Sequence, residues 1–185
     1  AARSGHTMVE LNGNLIVQHG NNSSAMVPTS YAFDILAGGW TQIQDRGVDV
    51  APRSGHTVMV VKGKLYLIGG KQIFPMMQTY DDVLLGDFDR TNFTIKWTQL
   101  KPIGDEVDKR AYHSSVVHKD IIYSFGGIVN NIYCRDLCSF EPETLMWRVF
   151  TQGNPLLYTP TLPRSGHIAL IHDSEMFVFG SYSEE

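Results

Sequence analysis

Cysteine is scarce: two residues in a chain of 185, so no disulfide framework is available. Both, Cys134 and Cys138, fall in a stretch that reads as one strand. At about 3.3 Å per residue they stand roughly 13 Å apart on one face. A disulfide needs Cα atoms within about 7 Å. Free thiols favour a reducing compartment, read here as the cytoplasm. Three sequons (Asn21-Asn22-Ser23, Asn22-Ser23-Ser24 and Asn92-Phe93-Thr94) point the other way, but motifs this short arise by chance. A long hydrophobic run is also missing. No stretch approaches the ~20 apolar residues of a membrane helix, so no membrane partner is expected. Nor is there an excess of basic charge. Fifteen Lys and Arg stand against nineteen Asp and Glu, a net −4 that argues against a nucleic-acid footprint. His-x-His, His-Glu-x-x-His, Cys-x-x-Cys, a phosphate-binding glycine loop and a nucleophile elbow are all absent. No catalytic, cofactor-binding or metal-ligating residue is therefore assigned, and no window carries a helical stripe.

What the chain does have is repetition. Arg3-Ser4-Gly5-His6 returns as Arg53-Ser54-Gly55-His56 and Arg164-Ser165-Gly166-His167, with a looser copy, Arg110-Ala111-Tyr112-His113. The arginines are spaced by 50, 57 and 54 residues. Self-similarity at this period marks a repeat architecture. Each copy continues in register. An aromatic or aliphatic residue follows (Ile16, Tyr66, Tyr123, Phe177), then His19-Gly20, Gly69-Gly70, Gly126-Gly127 or Gly180-Ser181. One tryptophan closes each of the first three units: Trp40, Trp97 and Trp147.

Each unit reads as sheet. Thr57–Val61 and Lys64–Ile68 are short runs rich in β-branched and aromatic residues, bounded by turn residues. The breaks Asn12-Gly13 and Lys62-Gly63 suit tight hairpins, and Lys119-Asp120 and Asp173-Ser174 are alternatives of the same kind. Third strands are expected over Tyr31–Leu36, Asp82–Asp87 and Tyr133–Phe140, and fourth strands around the tryptophans. Four antiparallel strands per unit make a blade.

The motif Arg-x-x-His, apolar strand, tyrosine-bearing strand, Gly-Gly, further strand and late tryptophan resembles the kelch family. That resemblance implies an all-β fold, a kelch-type β-propeller of four-stranded blades set radially around a channel. The repeats run over approximately 3–52, 53–109, 110–163 and a half repeat, 164–185. Three and a half blades do not close a ring of four to eight. The chain reads as part of a six- or seven-bladed propeller, with the remaining blades supplied by the same or another chain. Gly-Gly is interrupted by His19 and Ser181, and Ala111-Tyr112 replaces Ser-Gly. These departures leave local turn geometry open.

A residue that appears once per unit serves the unit. Arg3, Arg53, Arg110 and Arg164 are expected in packing and blade-to-blade hydrogen bonding. His6, His56, His113 and His167 are expected as structural histidines near the start of the innermost strand. Gly69, Gly70, Gly126, Gly127, Trp97 and Trp147 complete the structural set. Function is sought instead on the long loops after each second strand and between blades, which share one face of a propeller. Several are apolar: Met26, the stretch Phe74, Met76 and Met77 with Tyr80 beyond it, and Leu156, Leu157 and Tyr158. Methionine and aromatic side chains suit partner surfaces. The resemblance and these loops together imply a protein–protein interaction module or scaffold with a protein partner. The alternatives are a structural subunit of a larger assembly and a galactose-oxidase-like enzyme with its active site outside this segment. Against the enzyme, Tyr133 and Cys134 are adjacent in a strand and point to opposite faces.

Overall fold

The computed structural model describes residues 2–150 and 162–180. All its regular elements are strands, and four successive groups of them follow the four sequence units. The first blade comprises β1 (Thr7–Leu11), β2 (Asn14–Gln18), β3 (Ser30–Asp34) and β4 (Trp40–Gly47). The second has β5 (Thr57–Val61) and β6 (Lys64–Ile68), a small hairpin of β7 (Lys71–Gln72) and β8 (Gln78–Thr79), then β9 (Val83–Asp89) and β10 (Thr94–Gln99). After β11 (Ile103–Gly104) the third blade repeats the plan. It has β12 (Ser114–His118), β13 (Ile121–Phe125), a hairpin of β14 (Ile128–Val129) and β15 (Ile132–Tyr133), β16 (Leu137–Glu141) and β17 (Met146–Phe150). β18 (Ile168–His172) and β19 (Glu175–Phe179) form the hairpin of the fourth.

The hairpins between first and second strands are two-residue type I′ turns. Both central residues have positive φ: Asn12 54° and Gly13 74°, Lys62 48° and Gly63 72°, Lys119 50° and Asp120 62°, Asp173 48° and Ser174 67°. This turn matches the twist of the strands it joins, and it fixes their register.

Innermost strands β1, β5, β12 and β18 touch in succession, so the sheets stand side by side with their faces together. Alternation along each strand sends one set of side chains forward and the other back. Ile16, Ala32 and Ile43 of the first blade meet Leu65, Leu67, Ile95 and Trp97 of the second. Tyr66, Ile68 and Val83 of the second meet Ile122, Phe140 and Trp147 of the third. These two seams form the core.

Two expectations need correction. The predicted strand Tyr133–Phe140 is interrupted: β15 ends at Tyr133 and β16 starts at Leu137. The break lets the Cys134 carbonyl accept from Arg164 N–H at 3.0 Å, and lets Asp136 turn its carboxylate to Arg110. Cys134 and Cys138 therefore do not share a strand, and both are unpaired. Two of the segments between blades, read as loops, contain strand. Residues Gln44–Gly47 pair parallel with Thr94–Trp97, and Ile103–Gly104 with Met146–Trp147. Each blade thus sends its exit segment along the outer edge of the next, covering an edge that would otherwise offer unpaired backbone groups.

Candidate protein-interaction face

The face that carries the long loops is organised by the repeat tetrapeptide. Arg53 is 1% exposed. Its Nη1 donates to the Gly69 carbonyl at 3.0 Å, its Nη2 to Asp82 Oδ2 at 2.9 Å, and the Tyr80 ring lies 4.0 Å from the guanidinium carbon. Arg110 repeats the arrangement with the Gly126 carbonyl and Asp136. Arg3 does so with the carbonyls of His19 and Thr29. Burial pushes the Asp136 carboxyl up, but the Arg110 guanidinium outweighs it and holds the group below its usual range. These side chains bond within their own blade. It is the arginine backbone that crosses the seam: its carbonyl accepts from Gly20, Gly70 or Gly127 N–H of the preceding blade at 2.8–2.9 Å, and the Arg110 and Arg164 N–H groups donate back to the Tyr80 and Cys134 carbonyls at 3.3 and 3.0 Å.

A further backbone bond crosses each seam. Gly55 N–H donates to Gly5 O, Tyr112 N–H to Gly55 O and Gly166 N–H to Tyr112 O, at 2.7–2.9 Å. Tyr112 takes φ 58° where Gly55 has 63°, and His19 takes 48° where Gly69 has 60°. The substituted copies thus keep the glycine backbone. At Gly70, with φ 93°, an added Cβ would sit 2.7 Å from His56 Cβ. The histidines also link blades. His56 Nε2 meets Thr7 Oγ1, and His113 Nε2 meets Thr57 Oγ1, each at 3.0 Å. His167 packs its ring edge-on against Phe125 instead, with centroids 5.5 Å apart.

On this base stand the connections after each second strand. Bridges tie them to the tetrapeptide: Ser4 to Asn21, Ser54 to Lys71 and Ala111 to Ile128. The β7–β8 hairpin presents Phe74, Met76 and Met77 to solvent at 43%, 77% and 71% exposure. A cavity of about 280 Å³ separates it from the β14–β15 hairpin, lined chiefly by Lys71, Met77, Thr79, Ile128, Asn130 and Asn131. Lys71 Nζ lies 4.9 Å from the centre of the Tyr112 ring.

Two residues expected on the contact surface have other duties. Tyr80 is half-buried beneath Arg53, and its hydroxyl donates to Gln72 Oε1 at 2.8 Å. Its ring is committed to packing. Met26 is half-buried, and its Sγ accepts from Ile73 N–H at 3.5 Å, so it couples two neighbouring loops. Leu156, Leu157 and Tyr158 lie outside the described residues. Sequence reasoning missed Tyr112, Lys71 and the acidic arginine partners Asp82 and Asp136. The acids left a signal, each standing just before a third strand. Among the described residues no three His, Cys, Asp or Glu side chains gather as a metal-ligand set.

Residues 1–181 match the KLHDC2/KLHL20/DRC7 Kelch-repeats domain model. The chain belongs to the kelch-repeat family. Kelch domain-containing protein 3 of Rattus norvegicus is 26% identical over 98% of this chain and 48% of the rat protein, and the Homo sapiens protein of that name matches equally. The kelch chain described here thus spans about half the length of these curated relatives. A third relative, N-(sulfonatooxy)prop-2-enimidothioate sulfolyase of Thlaspi arvense, is 28% identical over 80% of this chain and 41% of its own.

Proposed function

We propose that this kelch-repeat chain binds a partner protein through its loop face, with Phe74, Met76 and Met77 as the apolar anchors. The supporting observation is the β7–β8 hairpin itself. Three large apolar side chains stand in solvent beside an open cavity, while the hairpin's base is pinned to the rigid blade. Exposed apolar clusters on rigid scaffolds are the usual substance of interaction hot spots. Kelch repeats serve generally as protein-interaction modules, and the loops are where this copy has adapted side chains to spare. Two unpaired cysteines agree with a reducing, cytoplasmic location. Among the described residues no helix is long and apolar enough to cross a membrane.

The test is Phe74→Ala combined with Met77→Ala. Both side chains are exposed, so the melting temperature should stay within about 2 °C of the parent, as surface substitutions change stability by under ~0.5 kcal/mol. Partner affinity in a pull-down titration should fall by at least about tenfold, since truncated hot spots cost more than ~1 kcal/mol each. Full retention of affinity would reject this face.

A second reading is favoured by a separate observation. Trp40 on the back of the first blade is 59% exposed, and Ile168 on the front of the last hairpin is 67% exposed. Their counterparts Trp97, Trp147, Thr57 and Ser114 are buried at the inner seams. A structural role, with further blades from the same protein or another chain covering these faces, is compatible with a partner on the loops.

A further inference from the structure

The seam between the first and second blades is built differently from the other two. Across the inner end of the second blade, facing the third, one cross-strand row reads Thr57, Ile68, Val83. The matching row of the third blade reads Ser114, Phe125, Leu137. In the first blade it reads Thr7, Gln18, Ser30: Thr7 pairs with Gln18, and the Val17–Tyr31 register sets Ser30 opposite Gln18 one step further on. The next residue departs too, because His19 stands where Gly69 and Gly126 stand. This row faces inward. Gln18 and Ser30 are fully buried, and the Thr7 hydroxyl reaches across the seam to His56 Nε2.

The polar atoms placed there lack protein partners. Gln18 Nε2 and Oε1, Ser30 Oγ, and Nδ1 of both His19 and His56 are all unbonded among the described residues. The two imidazole rings lie 5.8 Å apart. Native proteins rarely leave such groups unsatisfied, and a buried water with two to four polar partners is the common remedy. We propose that the Gln18–Ser30 row is an internal water-binding site, holding ordered water between the first and second blades.

The donor set fits water better than an ion. A carboxamide offers one donor face and one acceptor face, a serine hydroxyl offers both, and a neutral imidazole offers one of each by tautomer. Burial holds both histidines in that neutral form, with the charges of Arg3 and Arg53 assisting at His19. Water can answer donors and acceptors together, whereas an anion satisfies donors alone. Arg3 and Arg53 already spend their Nη1 groups on the carbonyls of His19 and Gly69.

The test is a high-resolution crystal structure of the full chain, with a Gln18→Ile, Ser30→Val variant that rewrites this row as that of the second blade. Expected is at least one ordered water within about 3.2 Å of the Gln18 amide and of a second group in the row. Oxygen-17 relaxation dispersion should show a long-lived internal water in the parent that is lost in the variant. The variant should melt no lower than the parent, because a matched apolar row replaces polar groups that bond only to solvent. Direct bonding of Gln18 to Ser30, His19 or His56 with no water in reach would overturn the proposal. So would density for a larger ligand, or a melting temperature clearly depressed in the variant.

Discussion

Arg53 is a cation almost without solvent, and Asp82 is what makes that tolerable. Removing one member of a buried ion pair leaves the other uncompensated, typically at about 3–5 kcal/mol. Asp82→Ala should therefore cost about 3 kcal/mol in chemical denaturation, whereas Asp81→Ala, one residue away and exposed, should change little. The buried histidines predict a pH dependence. Burial first, then the Arg53 and Arg3 charges, push His19 down to about 4. Burial with the Arg110 charge pushes His113 to about 3, and burial with the Arg164 charge pushes His167 to about 4. Unfolded, each binds a proton near pH 6.5. Their contribution to stability is complete above that value and declines as pH falls through the window towards the folded values. Melting temperature should drop steadily from pH 7 to 5, where carboxylates remain ionised. His19→Gly, which restores the residue of the other blades, should make the decline shallower. An equal slope in the variant would contradict the assignment. The repeat arginines and histidines were legible in the sequence because their spacing is fixed. Their partners were not: Thr7 and Thr57 sit one residue after the histidine of the preceding blade, a relation only the stacking of blades reveals.

The exit strands tie element to element. The Gln44–Gly47 end of β4 leaves its own sheet and runs parallel along β10, and Asp45 Oδ1 accepts the Trp97 indole N–H at 2.7 Å. Gly47 makes the approach possible: its φ is 83°, and an added Cβ would fall 2.2 Å from the Trp97 carbonyl oxygen. Gly104 is matched in the same way to Trp147. Gly47→Ala should lift this strand from the edge, costing about 1–3 kcal/mol for the strained backbone and lost pairing. Hydrogen exchange at Thr94–Trp97 should quicken, with that at β5 and β6 altered less. Equal protection in the variant would show that the glycine is not what admits the strand. Main strands and their turns could be read from alternation, β-branched content and two-residue breaks. The exit strands could not, because their partner edge is roughly fifty residues distant and parallel pairing leaves no local signature. The interruption after Tyr133 was hidden for a similar reason. Residues 133–140 are strand-like except at Arg135 and Asp136, and the bond of Asp136 to Arg110 marks where the run breaks.

At the scale of the molecule, Trp97 and Trp147 are each a wedge between one blade and the one before it. Trp97 pairs with Gly86 and fills the first seam; Trp147 pairs with Phe140 and fills the second. Trp40 holds the equivalent place, paired with Phe33 and 5.0 Å from its ring, but it faces outward from the first blade. A repeat protein's stability is close to a sum of unit and interface contributions, so one residue type should differ in cost according to whether its seam is filled. Trp97→Ala should destabilise this chain by about 3–5 kcal/mol, the usual range for a buried tryptophan. Trp40→Ala should cost under ~1 kcal/mol here, as an exposed side chain forfeits little burial. In any form of the protein where another blade covers that face, Trp40→Ala should rise to the cost of Trp97→Ala. Denaturant titration of both variants in this chain and in a longer polypeptide makes the comparison direct. If Trp40→Ala stayed inexpensive in the longer form, the back of the first blade would not be a seam, and the exposed apolar surface there would belong to a different partner.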